Sequence, residues 1–259
     1  MKTAILITLI AASLTAAEVT WTFAKFEGGV EVPLEDVVGP PTEFQSNAAQ
    51  RVSDARKRNR FNRRTDEETV TTENWCGAVL LGSGFSVVGT WTVPAITLRA
   101  GQSSSGQPAV AQWVGIDGLT NGALIQGGTH SEFVDGQQQN VAWTEMLPAS
   151  AGILSFTIYT GDSITTNVTM TSTTSGTPSS GPFQAAPLFG ASAEWIIEDV
   201  RSDGAFVPFA GFPTNTFTGS AIQSGQSVTP SGAALVELVQ DSELCSATIS
   251  GTTITVQDS

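Results

Sequence analysis

The sequence predicts an all-β protein built as a sandwich of two antiparallel sheets, and three observations carry that expectation. From about Val70 onward the chain is rich in Val, Ile, Thr, Gly and Ser. Its apolar residues fall in short alternating runs broken by Gly, Pro and Ser clusters, the pattern of half-buried strands between turns. No stretch sustains a helical period, so the many short strands need a second layer to bury their apolar faces.

Two segments of different character precede that domain. Residues 1–17, MKTAILITLIAASLTAA, join one Lys2 to an apolar run too short to span a bilayer and end in small residues. That is the composition of a secretory signal. Residues 18–64 close on a basic run containing Arg51, Arg56, Lys57, Arg58, Arg60, Arg63 and Arg64. The run reads as a solvated, protease-accessible processing region that ends a propeptide. The expected product is residues 65–259, a monomer outside the cell. No later stretch approaches the roughly 20 apolar residues of a membrane helix.

Within the domain the runs Ser86–Val93, Val110–Ile116, Val141–Leu147 and Ile153–Tyr159 read as strands. The clearest is Ser163–Met170, where Ile164, Val168 and Met170 share one face while Thr165, Asn167 and Thr169 share the other. Glu194–Val200 and Ala234–Val239 follow, and Ser246–Gln257 reads as a hairpin turning near Ser250-Gly251. Asn167-Val168-Thr169 is the single N-glycosylation sequon. Cys76 and Cys245, the only cysteines, are expected to pair in an oxidising compartment.

The charge distribution excludes several functions. After Arg64 there are two basic residues, Arg99 and Arg201, against 17 carboxylates, a net of −15. A nucleic-acid surface needs the opposite sign. In acid these carboxylates neutralise and few cations remain to repel one another, so the domain suits acid solution. Two cysteines and the single His130 cannot build a Cys/His zinc site. Neither a nucleophile elbow near His130 nor an Asp-Thr-Gly triplet is present, which leaves serine, cysteine and aspartic peptidase machinery unsupported.

Period-2 counting places Trp113 with Asp117, Leu124 with Gln126, Trp143 with Glu145, and Glu194 with Ile196 and Glu198. If these faces converge they form an aromatic-walled acidic cleft; otherwise they are the outer face of an amphipathic sheet. The strings Asn74-Trp75-Cys76-Gly77-Ala78-Val79, Trp113-Val114-Gly115-Ile116-Asp117-Gly118, Leu124-Ile125-Gln126-Gly127-Gly128, Trp143-Thr144-Glu145 and Ala193-Glu194-Trp195-Ile196-Ile197-Glu198-Asp199 occur in the order seen in fungal glutamic peptidases. Across nearly all of 70–259 the chain resembles this family, the eqolisins.

The resemblance implies a two-sheet sandwich of the concanavalin A-like or jelly-roll kind and a secreted, acid-acting endopeptidase. It also implies a catalytic pair of Glu194 and Gln126, a substrate cleft lined by Trp75, Trp113, Asp117, Trp143 and Glu145, and no cofactor or metal. Protein and peptide substrates would be the partners, with the propeptide as a possible inhibitor. Glu198 and Asp199 belong to the motif without an assigned role. The chain departs from the family in three places: His130 stands where an acidic residue is usual, the Asp117 to Gln126 loop is one residue shorter, and Cys76 replaces a small residue. The competing readings are a jelly-roll glycoside hydrolase using Glu145 and Glu194, and a carbohydrate-binding sandwich without catalysis.

Overall fold

The computed structural model describes residues 3–12, 18–27, 30–32, 69–119, 122–147, 151–154, 156–170 and 188–259. In chain order its strands are β1 (Thr3–Ala12), β2 (Glu18–Glu27), β3 (Val30–Val32), β4 (Thr69–Thr72), β5 (Trp75–Leu81), β6 (Phe85–Thr92) and β7 (Ala109–Ile116). Next come β8 (Ile125–Val134), β9 (Gln137–Met146), β10 (Gly152–Ile153), β11 (Ser163–Met170) and β12 (Ser192–Glu198). The remainder are β13 (Arg201–Ser202), β14 (Ala205–Phe206), β15 (Asn215–Gln223), β16 (Gln226–Val228), β17 (Ala234–Val239), β18 (Glu243–Ser250) and β19 (Thr253–Asp258). Among the described residues the only helical elements are two 3₁₀ turns, Ser104–Gly106 and Pro230–Gly232.

The pairings resolve into two layers. The front sheet runs β10-β9-β8-β7-β12-β5-β17-β4. The back sheet runs β3-β2-β1-β11-β6-β15-β19-β18, with β16 beside the far end of β15. They join at one corner, where β17 leaves β5 and pairs with β18 through an irregularity at Leu238/Val239. All pairings are antiparallel except β1 with β11 and β4 with β17.

Alternation places one apolar set between the layers. Ala78, Val114, Ile116, Ile125 and Trp195 of the front sheet pack with Val87, Trp91, Val168, Phe217, Ile254 and Val256 of the back sheet. Two indoles of this core carry their N–H groups to acceptors. Trp195 donates to the Val88 carbonyl at 2.9 Å and Trp91 to Thr129 Oγ1 at 3.0 Å. The Cys76–Cys245 disulfide staples β5 to β18, with Cα atoms 6.0 Å apart.

Ser163–Met170 and Ala234–Val239 are strands with the expected bounds, and the C-terminal hairpin turns after Ser250. Ile153–Tyr159 differs from expectation: strand structure stops at Ile153. Leu154, Phe156 and Ile158 are buried with the alternation of a strand, but the Phe156 N–H turns back to the Leu154 carbonyl instead of joining a ladder. Residues expected in the signal form β1 in the full-length chain, and β2 and β3 fall in the expected propeptide. The basic run lies outside the described residues.

Candidate active site

Strand register assembles the site. Reading straight across the front sheet, Val79 of β5, Glu194 of β12, Gly115 of β7, Gln126 of β8 and Glu145 of β9 stand side by side. The next row on the same face is Gly77, Ile196, Trp113, Gly128 and Trp143. The third is Trp75, Glu198, Ala111, His130 and Val141. This face points away from the back sheet, and its apolar members form a cluster separate from the inter-sheet core.

Glu194 and Gln126 are therefore separated by one strand, or about 9–10 Å between backbones at the usual spacing of 4.7–4.9 Å. The intervening residue is Gly115, and its lack of a side chain lets Trp113 and Gln126 pack closely over the backbone between them. A Cβ there would meet Gln126 Cβ at 3.1 Å and Trp113 Cζ3 at 3.0 Å. Gly128 does the same for the indole beside it, since a Cβ would come within 2.5 Å of Trp113 Cβ.

Each polar side chain is held differently. Gln126 Nε2 donates to Glu145 Oε2 at 2.8 Å, which fixes the amide orientation, while Gln126 Oε1 has no hydrogen-bond partner in the protein. Trp113 Nε1 donates to Glu198 Oε2 at 2.8 Å, and Asn74 Nδ2 donates to Glu198 Oε1 at 3.4 Å. Trp75 packs edge-on to Trp113 with ring centroids 4.9 Å apart. Neither oxygen of Glu194 meets a protein donor within hydrogen-bond geometry. Gln126 and Glu194 are both 0% exposed in the full-length chain.

Of the residues singled out in the sequence, Glu194, Gln126, Glu145, Trp75, Trp113 and Trp143 share this face. Asp117 does not continue the Trp113 alternation, because it follows β7 at φ 72°. Its carboxylate instead accepts the backbone N–H groups of Phe189, Gly190 and Ala191. His130 lies on the site face four residues along β8 from Gln126, with Nε2 3.7 Å from Glu132 Oε2. Asn167 sits on the back sheet, half-buried, accepting from Thr169 Oγ1 at 3.2 Å. No group of metal-ligating side chains occurs among the described residues.

The comparisons with known proteins bear on the family and the fold. Residues 73–258 match the model of the peptidase A4 family. The chain is 35% identical to aspergillopepsin-2 of Aspergillus niger over 230 residues, covering 76% of this chain and 80% of the relative. It is 35% identical to scytalidopepsin B of Scytalidium lignicola over 213 residues, covering 73% and 78%. A solved scytalido-glutamic peptidase with a peptide-based transition-state analog superposes with a TM-score of 0.61 at 34% identity, covering 72% of this chain and 98% of that one.

The chain belongs to the peptidase A4 family. This A4 peptidase is a glutamic endopeptidase with the eqolisin β-sandwich, and it acts on protein or peptide substrates. The sugar-cleaving and sugar-binding readings are not favoured.

Two carboxyls of the A4 peptidase are strongly perturbed. Burial pushes Glu194 well above the usual carboxylate range, opposed by the Ser192 hydroxyl and reinforced by Asp117. Asp199, just beyond β12, is pushed up to about 8, chiefly by burial; the Gln240 hydrogen bond opposes the shift and Glu198 adds to it. Asp199 Oδ2 accepts from Gln240 Nε2 at 2.7 Å. Nothing in the sequence pattern pointed to Gln240, which follows β17 directly and lies 41 residues from Asp199. For Glu198 the signal was present as same-face spacing with Glu194, but its partner Trp113 is set by register between β7 and β12.

Proposed function

We propose that Glu194 and Gln126 are the catalytic pair and that they hydrolyse peptide bonds by direct attack of water. The observation that carries this reading is the row Glu194, Gly115, Gln126, Glu145, in which a glycine alone separates a carboxyl from a fixed amide on one face. Ionised Glu194 takes a proton from water as the water oxygen bonds to the scissile carbonyl carbon. Gln126, oriented by Glu145, turns its remaining amide N–H toward the oxyanion as charge develops there, a contribution of about 3 kcal/mol. Glu194 then returns the proton to the amine nitrogen as the C–N bond breaks. A carboxylate can act as base in acid, where a histidine is protonated. The cycle asks for neither a metal nor a covalent enzyme intermediate. Trp75, Trp113 and Trp143 supply the apolar wall for substrate side chains.

Residues 1–17 act as a secretion signal and residues 18–64 as a propeptide cleaved near Arg63-Arg64, releasing a secreted monomer of residues 65–259. The basic run opposes a domain of net −15, so the propeptide holds the precursor inactive near neutrality and loosens as carboxylates protonate. Asn167 is the glycan acceptor.

The test is digestion of a denatured protein at acid pH by the processed enzyme beside Glu194→Gln and Gln126→Ala, each shown to be folded by circular dichroism. Activity should fall at least 100-fold in both. Full activity in either folded variant removes that residue from the pair.

A further inference from the structure

We propose that Asp117 is the positioning residue for Glu194: its carboxylate gathers the backbone N–H groups before β12 and fixes where the strand carrying the base begins. The inference rests on Glu194 being the base. Asp117 Oδ2 accepts from Phe189 N at 2.6 Å and Gly190 N at 3.0 Å, and Oδ1 accepts from Ala191 N at 2.7 Å. The Asp117 N–H donates in turn to the Ser192 carbonyl at 3.2 Å. Four hydrogen bonds thus tie the end of β7 to four consecutive residues, the last of them two positions before Glu194.

The backbone is shaped for this contact. Asp117 is left-handed at φ 72° and Gly190 at φ 61°, conformations that a non-glycine residue adopts at a cost of about 1 kcal/mol. Charge-assisted bonds to three N–H groups offset that cost. The carboxylate is wholly buried and spent on the loop, so it reaches Glu194 through the backbone and through its charge. The one protein hydroxyl that acts on the Glu194 carboxyl, Ser192, is itself the last residue of the tied segment, so the latch places the base and that neighbour together.

The neighbours of Glu194 make the charge legible. Across its row stand Val79, Gly115 and Gln126, which do not titrate, and then Glu145; Glu198 lies four residues along β12, and His130 lies four residues from Gln126 on β8. Asp117 favours the protonated form of Glu194. Removing its charge makes Glu194 ionise more readily.

The experiment compares processed wild-type enzyme with Asp117→Asn, Asp117→Glu and Glu194→Gln across the acid pH range, reading kcat and KM separately, with amide hydrogen exchange on the wild type. Expected for Asp117→Asn is a kcat loss of roughly 100-fold, the scale of a 1 Å misplacement, with KM within about threefold. The acid limb of its kcat/KM profile moves to lower pH. Asp117→Glu keeps the charge, so its limb stays while kcat falls. In the wild type, the Phe189, Gly190 and Ala191 amides exchange slowly. A raised KM with unchanged kcat would make Asp117 a substrate contact and overturn the proposal, as would an unmoved limb in Asp117→Asn. If the variants do not fold, the wild-type amides decide: exchange at free-loop rates refutes the latch. An active Glu194→Gln removes the base itself, whereas an inactive Glu194→Gln beside a wild-type-like Asp117→Asn removes only this inference.

Discussion

Replacing Asp199 with Asn should abolish a large part of the enzyme's loss of stability on neutralisation. Asp199 is 1% exposed, with its Oδ1 lacking a hydrogen-bond partner in the protein and its Oδ2 accepting from Gln240. Its carboxyl is held at about 8 in the fold, against 3.8 when free. Between those values the native state keeps a proton that the unfolded chain has released, so stability falls as pH rises. The contribution is complete below about pH 4 and lost through about pH 8. A shift of about 4 units at 1.36 kcal/mol per unit amounts to about 6 kcal/mol, comparable to the whole stability of many domains. Asn is neutral at every pH and can still accept from Gln240. Urea unfolding of processed wild type and Asp199→Asn, followed by tryptophan fluorescence at each pH unit from 4 to 8, should therefore give two stability curves that diverge. Wild type should fall relative to the variant by about 1.4 kcal/mol per unit. Glu194 titrates in both proteins and cancels in the difference. Parallel curves across this range would show that Asp199 is ionised in the fold and that burial does not hold its proton.

Gly115→Ala should cut kcat/KM at least 100-fold and lower the melting temperature, because its Cβ presses on Trp113, Gln126 and the Ile125 carbonyl at 3.0–3.1 Å; peptide hydrolysis with a melting curve checks this. Cys76→Ser with Cys245→Ser opens a link between positions 169 residues apart, and chain entropy puts the loss at about 5 kcal/mol, measured by denaturant titration against wild type. Glu198→Leu removes the acceptor of the Trp113 N–H and leaves a buried donor unsatisfied, at a cost of about 1–3 kcal/mol. Glu198→Gln, which retains an acceptor, should recover most of that loss in the same titration.

Much of this architecture was legible because sheets translate sequence parity into geometry. Glu194, Ile196 and Glu198 share a face by counting alone, and Trp143 with Glu145 likewise. Counting cannot say which strands are neighbours. Glu194 meets Gln126 only because β7 lies between β12 and β8, and that order depends on long-range pairing. The parity rule failed at Asp117 because the backbone there leaves the extended region, a turn that the Asp117-Gly118 pair marks in the sequence. Ile153–Tyr159 misled for the converse reason: its apolar residues are buried in alternation, but after Leu154, whose N–H still reaches the Ala142 carbonyl, the Phe156 N–H turns back to Leu154. β5 carries no alternation at all, since six of its seven residues are buried, as expected of a strand with one face on the core and the other on the site. Glu73, Gln240 and Asp199 come together through β17, beyond the reach of any short window.

The electrostatics of Glu194 connect latency with catalysis. A carboxyl held protonated by burial cannot accept a proton from water, so Glu194 as buried here cannot play the proposed role of base until its site opens. The largest cause is desolvation, which is also the cause that opening the site to water reverses. Where the proposed propeptide supplies that burial, its removal should return Glu194 toward the ordinary carboxylate range, where a carboxylate can serve as base in acid. Carbon-13 NMR of glutamate-labelled protein can follow the Glu194 carboxyl in processed enzyme and in a precursor kept intact by Arg63→Gln and Arg64→Gln. The Glu194 midpoint should lie at higher pH in the precursor, and the processed midpoint should coincide with the acid limb of kcat/KM. Equal midpoints in the two forms would mean that processing does not change the solvation of Glu194, and latency would then have to be purely steric. A processed midpoint well above the acid limb would assign the limb to another group, with Glu145 and Glu198 the nearest carboxyls on the same face.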